Sequence, residues 1–89
     1  MFEKTIVFQD IDAAKEFNRK LANIDCNMDL YPLYKRRHVI DAKSIMGIFT
    51  LDLSKPVVLK AYTEDPKVIR EINEITHDIS YKGSEISQP

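Results

Sequence analysis

Few residues in this chain are equipped for chemistry. There are two histidines, His38 and His77, and one cysteine, Cys26. No pair of them has the spacing of a metal site, so neither a metal nor any other cofactor is expected. Cys26 sits in an alternating apolar pattern and reads as a small buried residue. His38 begins a strand beside basic residues. His77 lies near the end of a helical pattern, where a cation is favoured. Asp12 opens another helical pattern and reads as an N-cap or first-turn acid. A phosphoryl-accepting aspartate would need a metal and further acids beside it. No glycine-rich phosphate loop and no nucleophile–base pair is present, which argues against a metabolic enzyme.

Ser44 is the remaining candidate, in the stretch DAKSIMGIFTLDL, Asp41 to Leu53. A serine hydroxyl caps a helix well, because it accepts a bond from a free backbone N–H. Phosphorylation there would be tolerated, since a helix N-terminus favours an anion. Ile45, Met46, Ile48 and Phe49 follow at once. A core helix would bury them all, whereas a docking surface would leave some exposed.

These residues need elements to hold them. Lys4 to Phe8 is β-branched and aromatic and predicts a strand. After it, Asp10 or Asp12 caps a helix whose stripe is Ala14, Phe17, Leu21 and Ile24, with Lys15, Glu16, Arg19 and Lys20 away from it. Cys26 to Leu30 alternates with period two and predicts a half-buried strand. Pro32 should weaken pairing, because it lacks a backbone donor. The chain turns near Lys35 and Arg36, and His38 to Ala42 runs back as a third strand. Ser44 opens a short helix to about Leu51. Gly47 lowers its intrinsic stability by about 1 kcal/mol relative to alanine, so packing must hold it. Pro56 to Thr63 predicts the fourth strand. Asp65 and Pro66 are an N-cap and first helical residue, followed by a buried stripe of Ile69, Ile72, Ile75 with Thr76, and Ile79. The order β-α-β-β-α-β-α predicts an α/β (α+β) fold. Its four-stranded, mainly antiparallel sheet is covered by helices on one face, a two-layer open-faced sandwich. Residues 1–80 are expected to form one domain and 81–89 a flexible C-terminal tail.

Composition narrows the function classes. The chain has 89 residues, formal net charge -1, 44% hydrophobic and 30% charged residues. A domain of that size buries only about 60–65% of its unfolded surface and cannot enclose a deep pocket. Near-neutral charge argues against nucleic acid as a partner. The basic run YKRRH, Tyr34 to His38, reads as a solvated turn. No apolar run reaches the length of a membrane span, and no signal peptide is expected. With its lone cysteine, the protein reads as cytoplasmic.

The segment Ala42 to Pro66, AKSIMGIFTLDLSKPVVLKAYTEDP, resembles the HPr family, the small histidine phosphocarriers of the bacterial sugar phosphotransferase system. The Lys-Ser, the two apolar residues, the glycine and the apolar run after it carry the likeness. It extends over Asp41 to Ile79 and is topological before that. The resemblance implies an HPr-like fold, a regulatory phosphorylation site at Ser44, and a partner-binding patch at Ile45, Met46 and Phe49. Ile48, Leu51 and Leu53 would face the core. The implied partners are proteins: a phosphotransferase-system enzyme, a serine kinase or a transcription regulator. The family's acceptor histidine stands in a His-x-Arg-Pro motif at the first helix. Here that stretch reads DIDAAKEF, with Asp12 or Ala13 at the histidine position and Ala14 or Lys15 at the arginine. Asp12 puts negative charge where phosphate must approach. The expected function is therefore a non-catalytic, HPr-like protein-binding or regulatory module. The alternatives are a working phosphocarrier with another acceptor, such as His38 or Asp12, and an interaction domain that shares only the fold.

Overall fold

Local sequence accounts for most of the element starts. The computed structural model describes residues 1–81. Asp10 caps the first helix, its Oδ1 accepting from the Ala13 N–H at 2.7 Å. Asp65 caps the last, accepting from the Lys67 N–H at 3.0 Å, with Pro66 in the first turn where its missing donor is harmless. The elements are β1 (Phe2–Ile6), α1 (Ile11–Leu21), β2 (Met28–Pro32), β3 (Ile40–Asp41), α2 (Ile45–Ile48), β4 (Val57–Ala61) and α3 (Pro66–Ile75). A 3-10 turn, His77–Ile79, follows.

The strands form one sheet in the order β1-β4-β2-β3, with each neighbouring pair antiparallel. Ile6, Val57, Leu59, Ala61, Met28 and Leu30 alternate onto one face and meet the helices. Ala14, Phe17 and Leu21 of α1, Ile48 of α2 and Ile72 of α3 close over them. Phe8 and Phe17 meet edge to face, with ring centroids 5.2 Å apart, a geometry aromatic pairs favour. Thr76 is fully buried, and its hydroxyl donates to the Ile72 carbonyl at 2.8 Å. That bond removes the cost of an unpaired buried hydroxyl.

Several boundaries differ from those the sequence predicts. The first strand runs two residues earlier than Lys4–Phe8. Phe8 is buried in the connection to α1 by its contact with Phe17, not by ladder pairing. The second strand runs two residues later than Cys26–Leu30 and includes Pro32. The Leu33 N–H donates to Pro56 on the β4 side, so position 32 faces the β3 side, where pairing has ended at Leu30. No ladder bond is lost to the proline. The third strand shrinks to two residues because the His38 N–H is drawn into a turn with the Lys35 carbonyl. On α3 the buried face is Val68, Ile72, Ile75 and Thr76, continuing to Ile79, while Ile69 stands half-exposed beside it.

The end of the described chain returns to the sheet. Val7 donates to the Ile79 carbonyl at 2.8 Å, and Tyr81 donates to the Thr5 carbonyl at 3.0 Å. Tyr81 is therefore tied to β1, and the rest of the expected tail, 82–89, lies outside the described residues. Among the described residues no helix is long and apolar enough to cross a membrane.

Candidate functional site

Ser44 is the N-cap of α2, and its Oγ accepts from the Gly47 N–H at 3.1 Å. Its own N–H donates to the Asp41 carbonyl at 2.9 Å, which orients the turn entering the helix. The helix is four residues long. Past Ile48 it tightens into i to i+3 bonds, Thr50 N–H to Gly47 and Leu51 N–H to Ile48, so it stops short of the expected Leu51. The Thr50 hydroxyl also donates to the Gly47 carbonyl at 2.6 Å, competing with further helix.

Gly47 is what lets this helix pack. A Cβ there would lie 3.3 Å from the Ile40 Cβ and 3.3 Å from the Ser44 Oγ. Glycine thus sets α2 close against β3 while leaving the cap intact. The packing decides which apolar residues are buried. Ile48 is fully buried and Leu51 nearly so, and Leu53 packs on the core margin. Met46 is 74% exposed and Phe49 44%. Ile45 is half-buried between the two groups. One short helix therefore presents a methionine and a phenylalanine to solvent.

The start of α1 is differently equipped. Asp10 occupies the cap and uses the Ala13 N–H, one of the two candidate family-histidine positions. Asp12 is exposed in the first turn, and Ile11 beside it is 57% exposed. An anion arriving here would meet two carboxylates and a helix end whose amide is already bonded. Neither histidine belongs to this segment. His38 stands in the β2–β3 connection, its Nε2 3.2 Å from the Thr50 Oγ1. Because that hydroxyl donates to Gly47, it accepts from the ring. His77 is exposed at the start of the 3-10 turn. Cys26 is half-buried at the core margin. Among the described residues no group of three or more His, Cys, Asp or Glu is placed to hold a metal.

Two features could not be foreseen from spacing. Lys43 turns back so that its ammonium donates to the Ile24 carbonyl, just beyond the C-terminal end of α1, where a cation is electrostatically favoured. The YKRRH run folds against the loop after α2, which the His38–Thr50 contact records. Both are long-range placements, and no local pattern encodes them.

Comparison with known proteins settles the architecture. A crystal structure of HPr-C-His from Thermoanaerobacter tengcongensis superposes with a TM-score of 0.67, at 23% identity over 88% of this chain and 93% of that one. The fold is the HPr fold. A crystal structure of a phosphocarrier protein HPr from Bacillus anthracis str. Ames superposes with a TM-score of 0.66, at 15% identity over 89% of this chain and 96% of that one. No protein-family model and no curated protein matches by sequence.

Proposed function

We propose that this chain is an HPr-like member of the phosphotransferase-system family acting as a non-catalytic protein-binding or regulatory module, docking partners through α2. The exposure of Met46 and Phe49 on a helix capped by Ser44 carries this reading. Methionine adapts to varied surfaces, and an exposed aromatic supplies contact area. The start of α1 supports the non-catalytic part. Phosphoryl transfer through a histidine needs a neutral imidazole at a helix start that receives the phosphate on free amides. Here that place holds Asp10 and Asp12. The partner is a phosphotransferase-system enzyme, a serine kinase or a transcription regulator in the cytoplasm of a bacterium. Ser44 is the regulatory site, where a phosphate would stand beside the exposed patch and change its charge.

Affinity capture of each such partner on the immobilised chain, compared with the Met46→Ala/Phe49→Ala variant, tests the docking. Loss of capture with an unchanged melting curve is the expected result, and equal capture would remove α2 as the docking face. Incubation with phosphoenolpyruvate and the system's first enzyme tests the other half. No transferred label is expected. An acid-labile, base-stable phosphoryl adduct would show a working carrier instead. Incubation with ATP and the serine kinase should add one phosphate at Ser44, and an unchanged mass would end the regulatory reading.

A further inference from the structure

The basic run is more than a solvated turn once its neighbours are in place. Between Asp29 and Asp41 the sequence contains no acid, and Lys35, Arg36 and Arg37 fall together there. The loop carrying them is pinned at both ends. The Leu33 N–H donates to Pro56 at 3.1 Å, and His38 meets Thr50 at 3.2 Å. Between this loop and residues 50–56 lies a cleft of about 500 Å³. Pro32, Leu33, Leu51 and Pro56 give it apolar walls, and Lys35 and Lys55 bring cations to its lining. Tyr34, 78% exposed, also lines it.

Among the described residues Asp52 is the one acid lining the cleft. Its Oδ1 already accepts from the Ser54 hydroxyl at 2.6 Å and the Ser54 N–H at 3.1 Å. A shallower concavity adjoins on the loop side, sharing Leu33, Tyr34, Lys35 and His38 and adding Arg36 and Arg37. On the other side the wall residues Thr50 and Leu51 directly follow Phe49 in the chain.

We propose that this cleft seats an acidic, partly apolar segment of the protein partner that docks on α2; the inference rests on that docking reading and names the partner's chemistry. The charge is complementary: carboxylates would find Lys35 and Lys55, with Arg37 on the adjoining surface. The apolar walls match aliphatic side chains between them. A bare phosphate would leave those walls uncovered. A nucleic acid would face the acidic remainder of a chain whose net charge is -1. The hydrogen bonds tying the two loops preform the cleft, which lowers the ordering cost of binding.

The test uses the 89-residue chain labelled with 15N and four probes: the peptide Glu-Leu-Glu-Glu-Leu-Glu, its Gln-Leu-Gln-Gln-Leu-Gln counterpart, inorganic phosphate, and a single-stranded oligonucleotide. Amide shifts should move in residues 33–38 and 50–55 with the acidic peptide, and binding of the neutral one should be at least tenfold weaker. Raising salt from about 0.05 to about 0.5 M should weaken binding, because the rim charges are exposed. Lys35→Glu/Lys55→Glu should reduce affinity at least tenfold with an unchanged melting curve. The peptide titration needs no partner protein, whereas capture on α2 does, so failure of the α2 reading and failure of this one are read separately. No shift with the acidic peptide, equal shifts with the neutral one, unaltered binding by the charge-reversed variant, or tighter binding of phosphate or oligonucleotide would each overturn the proposal.

Discussion

At the scale of single residues, the α2 segment separates stability from recognition. Ser44 spends its oxygen on the Gly47 N–H. Ser44→Ala should cost about 0.5–2 kcal/mol, the usual worth of a cap, and Ser44→Asp should return most of it, read from urea midpoints. Gly47→Val should cost about 1–3 kcal/mol, because its branched side chain must enter the space held by Ile40 and the Ser44 hydroxyl. Met46→Ala and Phe49→Ala touch exposed groups, so each should stay within roughly 0.5–1 kcal/mol of the parent chain. A large loss of stability at Met46 would mean that this side chain is structural. The sequence reading put Ile48, Leu51 and Leu53 inward and Met46 and Phe49 outward, and the burial follows that division. By spacing alone Ile45, Met46 and Phe49 read as core residues, and it is the resemblance to the HPr family that implies the outward placement of Met46 and Phe49.

At the scale of elements, periodicity marked positions better than boundaries. Ala14, Phe17, Leu21 and Ile24 are all buried, yet α1 ends at Leu21. Ile24 reaches the core from the loop, where its N–H bonds back to Leu21. Strand limits slipped by two residues wherever a long-range contact decided them, as Phe17 does for Phe8. The α3 face turned from Ile69 toward Val68 because two candidate stripes share Ile72, and only tertiary packing chooses between them. One feature of α1 invites a direct test. The Asn18 Nδ2 is buried and has no hydrogen-bond partner among the described residues. A buried unmet donor costs roughly 1–3 kcal/mol, and alanine is the better helix former. Asn18→Ala should therefore raise stability by about 1 kcal/mol, seen as a higher urea midpoint at unchanged slope.

At the scale of the molecule, the sheet face away from the helices carries its own interactions. Tyr31 lies there under the Arg36 guanidinium, 5.6 Å from its ring, with its hydroxyl 3.5 Å from Glu3. Tyr62 donates to Asp29 at 2.7 Å. Burial, then the Glu3 charge, pushes the Tyr31 phenol up. The hydrogen bond to Asp29 leads the upward shift of Tyr62. In the unfolded chain both ionise near pH ~10. Their contribution is therefore complete below that value and is lost as pH climbs through it and past the raised folded values. Lys4, lowered by burial, works in the opposite sense over the same range. The informative measurement is thus a difference: between about pH 9 and 11, Tyr31→Phe should lose stability less steeply than the parent chain. Parallel curves would mean that the Tyr31 phenol ionises alike in both states.

The return of residues 79–81 to β1 has a consequence for shortened chains. Thr5 and Val7 would regain free peptide groups if the chain stopped before Ile79, and an open strand border recruits another one. Shortening to residue 78 should therefore yield concentration-dependent oligomers in sedimentation or light scattering, whereas a chain ending just after Tyr81 should keep the sedimentation behaviour of the 89-residue form.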